Sequence, residues 1–107
     1  MDIPKKVAKW PGGARRIGER LHAVISEAAP DLTPKSLWGA PGYARGGKVV
    51  VHFRQDDGLV TFGITEHARL TIPADSGDQL MPTSWALVQI DEATEARVAQ
   101  IVRDAAG

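Results

Sequence analysis

Apolar residues recur at helical spacing in two parts of the chain. The first stripe covers about 100° of a helix surface and consists of Ile17, Leu21, Val24, Ile25 and Ala28. Pro30 ends this helix, because the residue before a proline avoids the α region. The second stripe, Val98, Ile101, Val102 and Ala105, follows Asp91, a favourable N-cap residue. We therefore predict one helix over about 13–28 and a closing helix that begins at Asp91.

Between the two stripes the pattern changes to β-strands. The β-branched run 48–54 and the run 59–64 alternate across a turn at 55–58, which is typical of an antiparallel hairpin. Residues 43–45 can pair with the first run across Gly46-Gly47, because glycines supply the positive φ angles of a tight turn. A further strand is predicted over 84–90. Thr33-Pro34 favours a short helical start, and residues 66–70 favour a helical turn or a short crossing segment.

Two amphipathic helices and these strands predict a two-layer α+β fold. The N- and C-terminal helices are expected to pack on one face of a small antiparallel sheet. A chain of 107 residues is the size of one domain, so we predict a single domain over 1–107, with 1–11 as an N-terminal arm. No apolar run approaches the length of a membrane span. With no cysteine and no signal-peptide pattern, the expected location is the cytoplasm.

The net charge of +0 is the sum of two unlike halves. Residues 1–54 hold 10 basic and 4 acidic residues, whereas residues 55–107 hold 3 basic and 9 acidic residues. Six cations fall within the first 20 positions: Lys5, Lys6, Lys9, Arg15, Arg16 and Arg20. They are suited either to an anionic ligand or partner, or to a solvated helix face with a loose arm. The zero total predicts against nucleic acid as the main partner.

An aromatic group around the first turn region is the best candidate for a binding site. Trp38, Tyr43 and Trp85, with Pro41 beside them, are predicted to line a pocket or an interface. The alternative is that these residues lie at the edge of the core. The histidines and serines do not form a recognised metal or nucleophile motif, and the glycines match no phosphate loop. We therefore predict a non-enzymatic domain without a cofactor.

An acidic group at the start of the closing helix is the candidate for a metal site. Asp91 and Glu95 share a helix face beside Glu92, so the three carboxylates could hold a hard cation. Their alternative role is to stabilise the positive end of the helix dipole.

The chain resembles the YdhG-like family of small bacterial domains of unknown function. The resemblance covers about residues 10–105 and is most specific in the run 38–43, Trp-Gly-Ala-Pro-Gly-Tyr; Val49-Val50-Val51 and Phe62-Gly63 also contribute. It implies a fold related in shape to frataxin, and for some members an intracellular iron chaperone. The prediction is thus a binding module for an unidentified small molecule or protein, with frataxin-like iron binding through surface carboxylates as the alternative. A homodimer through the strand at 48–54 or at 84–90 is also left open.

Overall fold

The fold was analysed in a computed structural model that describes all residues from Met1 to Gly107. It consists of three helices and five strands. The helices are α1 (Ile3–Val7), α2 (Gly12–Ala28) and α3 (Glu92–Ala106). The strands are β1 (Thr33–Pro34), β2 (Gly42–Arg45), β3 (Lys48–Asp56), β4 (Leu59–Ile64) and β5 (Ser84–Leu87).

Helix α2 lies within one residue of the predicted range 13–28, and α3 begins directly after Asp91, as predicted. The buried stripe of α2 includes Ile17, Leu21 and Ile25. At α3, the Asp91 carboxylate accepts a hydrogen bond of 2.8 Å from the Thr94 backbone N–H, which satisfies one of the free donors of the first turn. Both helices pack on the same side of β3 and on each other, which confirms the two-layer α+β architecture. None of the helices combines the length and apolarity that crossing a membrane would need.

Residues 1–11 correct the expectation of a free N-terminal arm. Helix α1 starts after Asp2, whose carboxylate accepts a 3.1 Å hydrogen bond from the Lys5 backbone N–H. Ile3 and Val7 are only 1% and 0% exposed, because their four-residue spacing places both on the face that packs against the core. Trp10 then meets Phe53 edge-on, with ring centroids 5.6 Å apart. The segment is therefore part of the packed fold.

The strands form one antiparallel sheet in the order β1-β2-β3-β4-β5. The predicted turns at Gly46-Gly47 and at Asp57-Gly58 are confirmed, and all four residues have positive φ. Thr33-Pro34 is a correction: it forms the edge strand β1 and does not start a helix. The Thr33 hydroxyl donates to the Ala44 carbonyl oxygen, and an edge strand tolerates a proline that has no N–H to donate.

One strand is shorter than expected. Strand β5 ends at Leu87, earlier than predicted, and β5 is the outer strand of the sheet. Residues 66–70 agree with the predicted turn or short crossing segment: they start with a turn in which the Ala68 N–H donates to the Thr65 carbonyl oxygen, and no regular helix follows.

A β-bulge sets which side chains of β3 face each layer. Tyr43 pairs with Val51, but the next residue of β2, Ala44, pairs with Val49, so Val50 is an extra residue. Val50 and Val51 are consequently both buried in the main core. We call this side of the sheet the helix face. The opposite side, the open face, carries the row Gly42, His52 and Gly63, which are neighbours across the three central strands.

Candidate functional site

A cleft of about 920 Å³ runs along β3 beside residues 35–41, which we call the 35–41 loop. Such a volume is in the range of small-ligand sites. Helix α1 and Trp10 border the cleft at one side, and residues 64–67 border it at another. The strand positions Lys48, Val49, His52 and Arg54 contribute to its lining. The cleft is therefore built from segments that are distant in sequence but joined by the sheet.

The 35–41 loop is a small hairpin that displays Trp38 at its tip. The backbone groups of Leu37 and Ala40 exchange two hydrogen bonds, of 2.9 and 3.0 Å. Trp38 and Gly39 between them have φ values of 48° and 83°, the left-handed pair of a two-residue hairpin turn. The Ser36 hydroxyl accepts a 2.9 Å hydrogen bond from the Gly39 N–H. The turn is thus fixed, whereas the Trp38 side chain is 94% exposed.

The base of the 35–41 loop lies directly against the sheet. The Lys35 N–H donates to the Gly42 carbonyl oxygen at 2.9 Å, and the Lys35 ammonium donates to the Gly47 carbonyl oxygen in the β2–β3 turn. A Cβ at Gly42 would lie 2.5 Å from the Lys35 carbonyl oxygen, so only glycine permits this approach. Lys35 therefore links the loop to the hairpin turn.

His52 lies on the open face over Gly63. A Cβ at Gly63 would lie 2.8 Å from His52 Cε1 and 2.9 Å from the Thr83 carbonyl oxygen, so the imidazole ring rests close to the backbone of β4. Burial lowers the pKa of His52, and the nearby Arg54 lowers it further. At neutral pH the ring is consequently uncharged, and it offers the cleft a hydrogen-bonding group rather than a cation.

The charge of the cleft is strongly positive. Five basic side chains line it: Lys6, Lys9, Lys35, Lys48 and Arg54. None of them belongs to an ion pair of the structure. Of the 13 acidic residues, only Glu66 lines the cleft, and its carboxylate lies 3.3 Å from His67 Nε2. An anion in the cleft would meet several cations that no carboxylate neutralises, although the Lys35 ammonium is also bonded to the Gly47 carbonyl oxygen.

The structure separates the four residues predicted to bind a ligand. Trp38 and Pro41 line the cleft. Tyr43 does not, since it is 2% exposed on the helix face and its hydroxyl lies 2.7 Å from His22 Nδ1. Burial raises the pKa of Tyr43. Trp85 stacks on Phe62 and borders a different cavity, of about 470 Å³, beside α3.

Two of the three carboxylates of the predicted metal site are held by other groups of the protein. Asp91 caps α3, and the hydrogen bond from Thr94 lowers its pKa. Glu95 accepts two hydrogen bonds from the Arg20 guanidinium, at 2.9 and 2.7 Å, and this contact lowers its pKa. Glu92 is exposed in the first turn. No group of three or more His, Asp or Glu side chains in the structure could hold a metal ion.

Sequence reasoning missed most of the residues that line the cleft. The sequence groups six early cations together, but only Lys6 and Lys9 reach the cleft, while Arg20 pairs with Glu95. His52 and Arg54 alternate with the buried residues of β3, and this alternation does place them on the face opposite the core. Nothing in the sequence shows that the 35–41 loop covers that same face.

The comparisons with known proteins provide no relative from which a role could be transferred. A scan against protein-family models finds no match, and searches of the curated proteins and of the solved structures find no similar chain.

Proposed function

We propose that the protein is a non-enzymatic binding module whose cleft holds an organic anion with a flat apolar part. The observation that carries the proposal is the combination of five cations that form no ion pair with one carboxylate around a cleft of about 920 Å³, at whose rim Trp38 is exposed. We further propose, from the residues at 38–43, that it is a cytoplasmic YdhG-like domain of bacterial type.

The cations account for the selection of a negative ligand. Lys6, Lys9, Lys35, Lys48 and Arg54 are all exposed, so each contributes only about 0.5 kcal/mol of attraction to a bound anion. Several such contributions together bring about 2 kcal/mol, or roughly a 30-fold change in affinity. Because the cations remain in water, this attraction weakens as the salt concentration rises.

Trp38 accounts for the flat apolar part of the ligand. An indole ring offers a large stacking surface with few rotatable bonds, so little conformational entropy is lost when a planar group packs on it. The hairpin turn below Trp38 is closed by two backbone hydrogen bonds, which fixes the Cα from which the ring extends. A phosphate or carboxylate attached to an aromatic ring would satisfy both parts of the cleft.

The remaining polar groups of the cleft are suited to holding a ligand. The Ser36 hydroxyl takes part in the turn through the Gly39 N–H, and the Lys35 ammonium is bonded to the Gly47 carbonyl oxygen. His52 is held over Gly63. These contacts give a preformed surface, which reduces the entropy lost on binding.

A titration with 1-naphthyl phosphate tests this function. Nitrogen-15 NMR spectra would follow the backbone of the cleft and the indole N–H groups as the compound is added. We expect shifts at Trp38 and along β3, weaker binding of 1-naphthol and of inorganic phosphate, and weaker binding of all charged probes at high salt. The same shifts with naphthol as with its phosphate would contradict the electrostatic part of the proposal.

Matched variants locate the site. Lys6→Gln/Lys9→Gln removes two cleft cations and should weaken binding about fivefold, since it removes about 1 kcal/mol. Lys5→Gln/Arg16→Gln removes the same charge from exposed positions that do not line the cleft, and it should leave the affinity unchanged. Equal losses in both variants would mean that the probe senses only the net charge of the protein.

A further inference from the structure

We infer that the ligand class of the cleft is short single-stranded nucleic acid, of about four to six nucleotides. This inference rests on the proposed function, because it uses the same cations and the same exposed indole. A small aromatic anion would not account for two features of the cleft: the distance over which the cations are spread, and the almost complete exposure of Trp38.

The cations are distributed along the cleft rather than gathered at one point. Lys48 and Arg54 both line it and stand six positions apart on β3. Because Val50 is the extra residue of the bulge, this separation corresponds to five steps of the strand, or about 17 Å. One phosphate group is too small to contact both. Successive phosphates of a stacked strand lie at least ~3.4 Å apart along its axis, so a span of about 17 Å fits four to six nucleotides.

The exposed indole fits bases better than peptide side chains. Proteins that bind single strands without sequence preference combine a basic groove with aromatic rings on which bases stack. Trp38 is 94% exposed on a turn with a fixed backbone, so one face of its ring is free for a base. An acidic peptide would also satisfy the cations, but acidic motifs are typically held by clusters of Arg, and Arg54 is the one Arg beside the four Lys of the cleft.

The zero net charge does not weigh against this ligand once the fold is known. Glu66 is the one acidic residue that lines the cleft, and Asp56 directly follows the lining residue Gln55 on β3; these two carboxylates are fewer than the five cations of the cleft. At physiological salt, exposed charges separated by more than ~8 Å are largely screened from each other. A strand in the cleft therefore meets the local excess of cations and not the sum over the chain.

Fluorescence anisotropy with a five-nucleotide thymidine strand, labelled at one end, tests the inference. Affinity is measured between about 20 and 200 mM salt, because binding through phosphate contacts weakens strongly over this range. With three to five phosphates neutralised, log K should fall against log salt with a slope of about −2 to −3.5. Lys6→Gln/Lys9→Gln should make the slope shallower by about 1.4, whereas Lys5→Gln/Arg16→Gln should leave it unchanged.

Trp38→Asn separates stacking from charge. It should weaken binding of the five-nucleotide strand about tenfold, because one base loses its stacking partner, while the salt slope stays the same. A loss of slope in this variant would contradict a stacking role. Thermal unfolding of each variant confirms that it is folded before binding is compared.

Competition experiments decide between the ligand classes. Thymidine monophosphate that competes as well as the five-nucleotide strand would overturn the inference in favour of a single-nucleotide site. A pentaaspartate peptide, or a stable G·C-rich duplex of about ten base pairs, that competes equally or better would overturn it as well. Binding of 1-naphthyl phosphate without binding of the strand would overturn only this inference, whereas failure of both probes would also remove the proposed function.

Discussion

Replacing Trp38 by Asn should make the protein more stable while it weakens binding in the cleft. The chain contains two hairpin turns of nearly the same geometry: Trp38-Gly39 has φ values of 48° and 83°, and Asp57-Gly58 has 51° and 85°. Asn and Asp are favoured at the first position of such a turn, because their short side chains tolerate the left-handed region. A tryptophan at that position is under backbone strain.

The expected size of the effect follows from the exposure of Trp38. A left-handed conformation costs an ordinary L-residue about 1–2 kcal/mol, and Asn recovers much of this cost. Because Trp38 is 94% exposed, the indole buries only about 10–15 Å² of apolar surface. Removing it therefore costs about 0.3 kcal/mol of stability. The free energy of unfolding should therefore rise by about 1 kcal/mol, which raises Tm by about 5 °C in a domain of this size.

Urea and thermal denaturation, followed by far-ultraviolet circular dichroism, measure this change. Asp57→Asn is the matched control, since it substitutes one favourable residue for another and should leave Tm within about 2 °C. Asp57→Trp should lower stability by about 1 kcal/mol, because it places the strained residue in the second turn. A clear fall in Tm for Trp38→Asn would refute the reasoning, since it would mean that the indole makes stabilising contacts.

Three further predictions concern the residues below the cleft and in the core. Gly63→Ala should destabilise the protein by about 1–3 kcal/mol, because its Cβ would lie 2.8 Å from the His52 ring; Gly77→Ala, which meets open space, should be neutral in the same urea titration. Tyr43→Phe should cost about 1–2 kcal/mol, since the 2.7 Å contact with His22 Nδ1 is lost, and a double-mutant cycle with His22→Phe that shows no coupling would contradict this. Burial lowers the pKa of His22 and of His52 in the folded protein. Below pH ~6.5 the unfolded chain therefore binds more protons than the folded one, and the free energy of unfolding should fall as the pH drops from about 7 towards 5. A flat pH profile, or one that replacing both histidines by Gln leaves unchanged, would contradict this.

The parts of the fold that are set by local patterns could be predicted from the sequence. Helices α2 and α3 have continuous apolar stripes. The β3–β4 hairpin consists of two alternating runs joined by a turn at Asp57-Gly58. Helix α1 was missed because its apolar signal consists of two residues, Ile3 and Val7, and becomes meaningful only when a core is present to cover them. A helix of five residues is too short to be stable by itself.

The Thr33-Pro34 pair shows why a local motif can mislead. A hydroxyl residue followed by proline is favourable at a helix start, but the same two residues are acceptable in an edge strand. The pairing with β2 decided the outcome, since Thr33 lies opposite Ala44 and its hydroxyl bonds the Ala44 carbonyl oxygen. Such tertiary pairing overrides a propensity of this size.

Only part of the candidate site could be predicted, because pairing into the sheet also decides which side chains reach the cleft. Trp38 and Pro41 were identified because aromatic residues in an irregular segment often line a pocket, and both line the cleft. Tyr43 is two positions farther along the chain, but it belongs to a strand and points to the helix face, where it stacks with Phe53 at a centroid distance of 6.2 Å. A single change from loop to strand thus separates neighbouring residues onto opposite sides of the sheet.

Three residues around this cleft are unfavourable for their local backbone conformation. Trp38 occupies a left-handed position that suits Asn or Asp. Gly42 is needed because the Lys35 carbonyl oxygen comes within 2.5 Å of where a Cβ would be, and Gly63 is needed because the His52 ring takes the corresponding space on β4. Glycines in strand interiors cost stability, and backbone strain persists only where the surrounding structure enforces it.

The equivalent turn at Asp57-Gly58 has the favourable residue types, so the geometry alone does not demand a tryptophan. What distinguishes the two turns is the basic cleft beside Trp38, and this supports a role of the indole in binding rather than in folding.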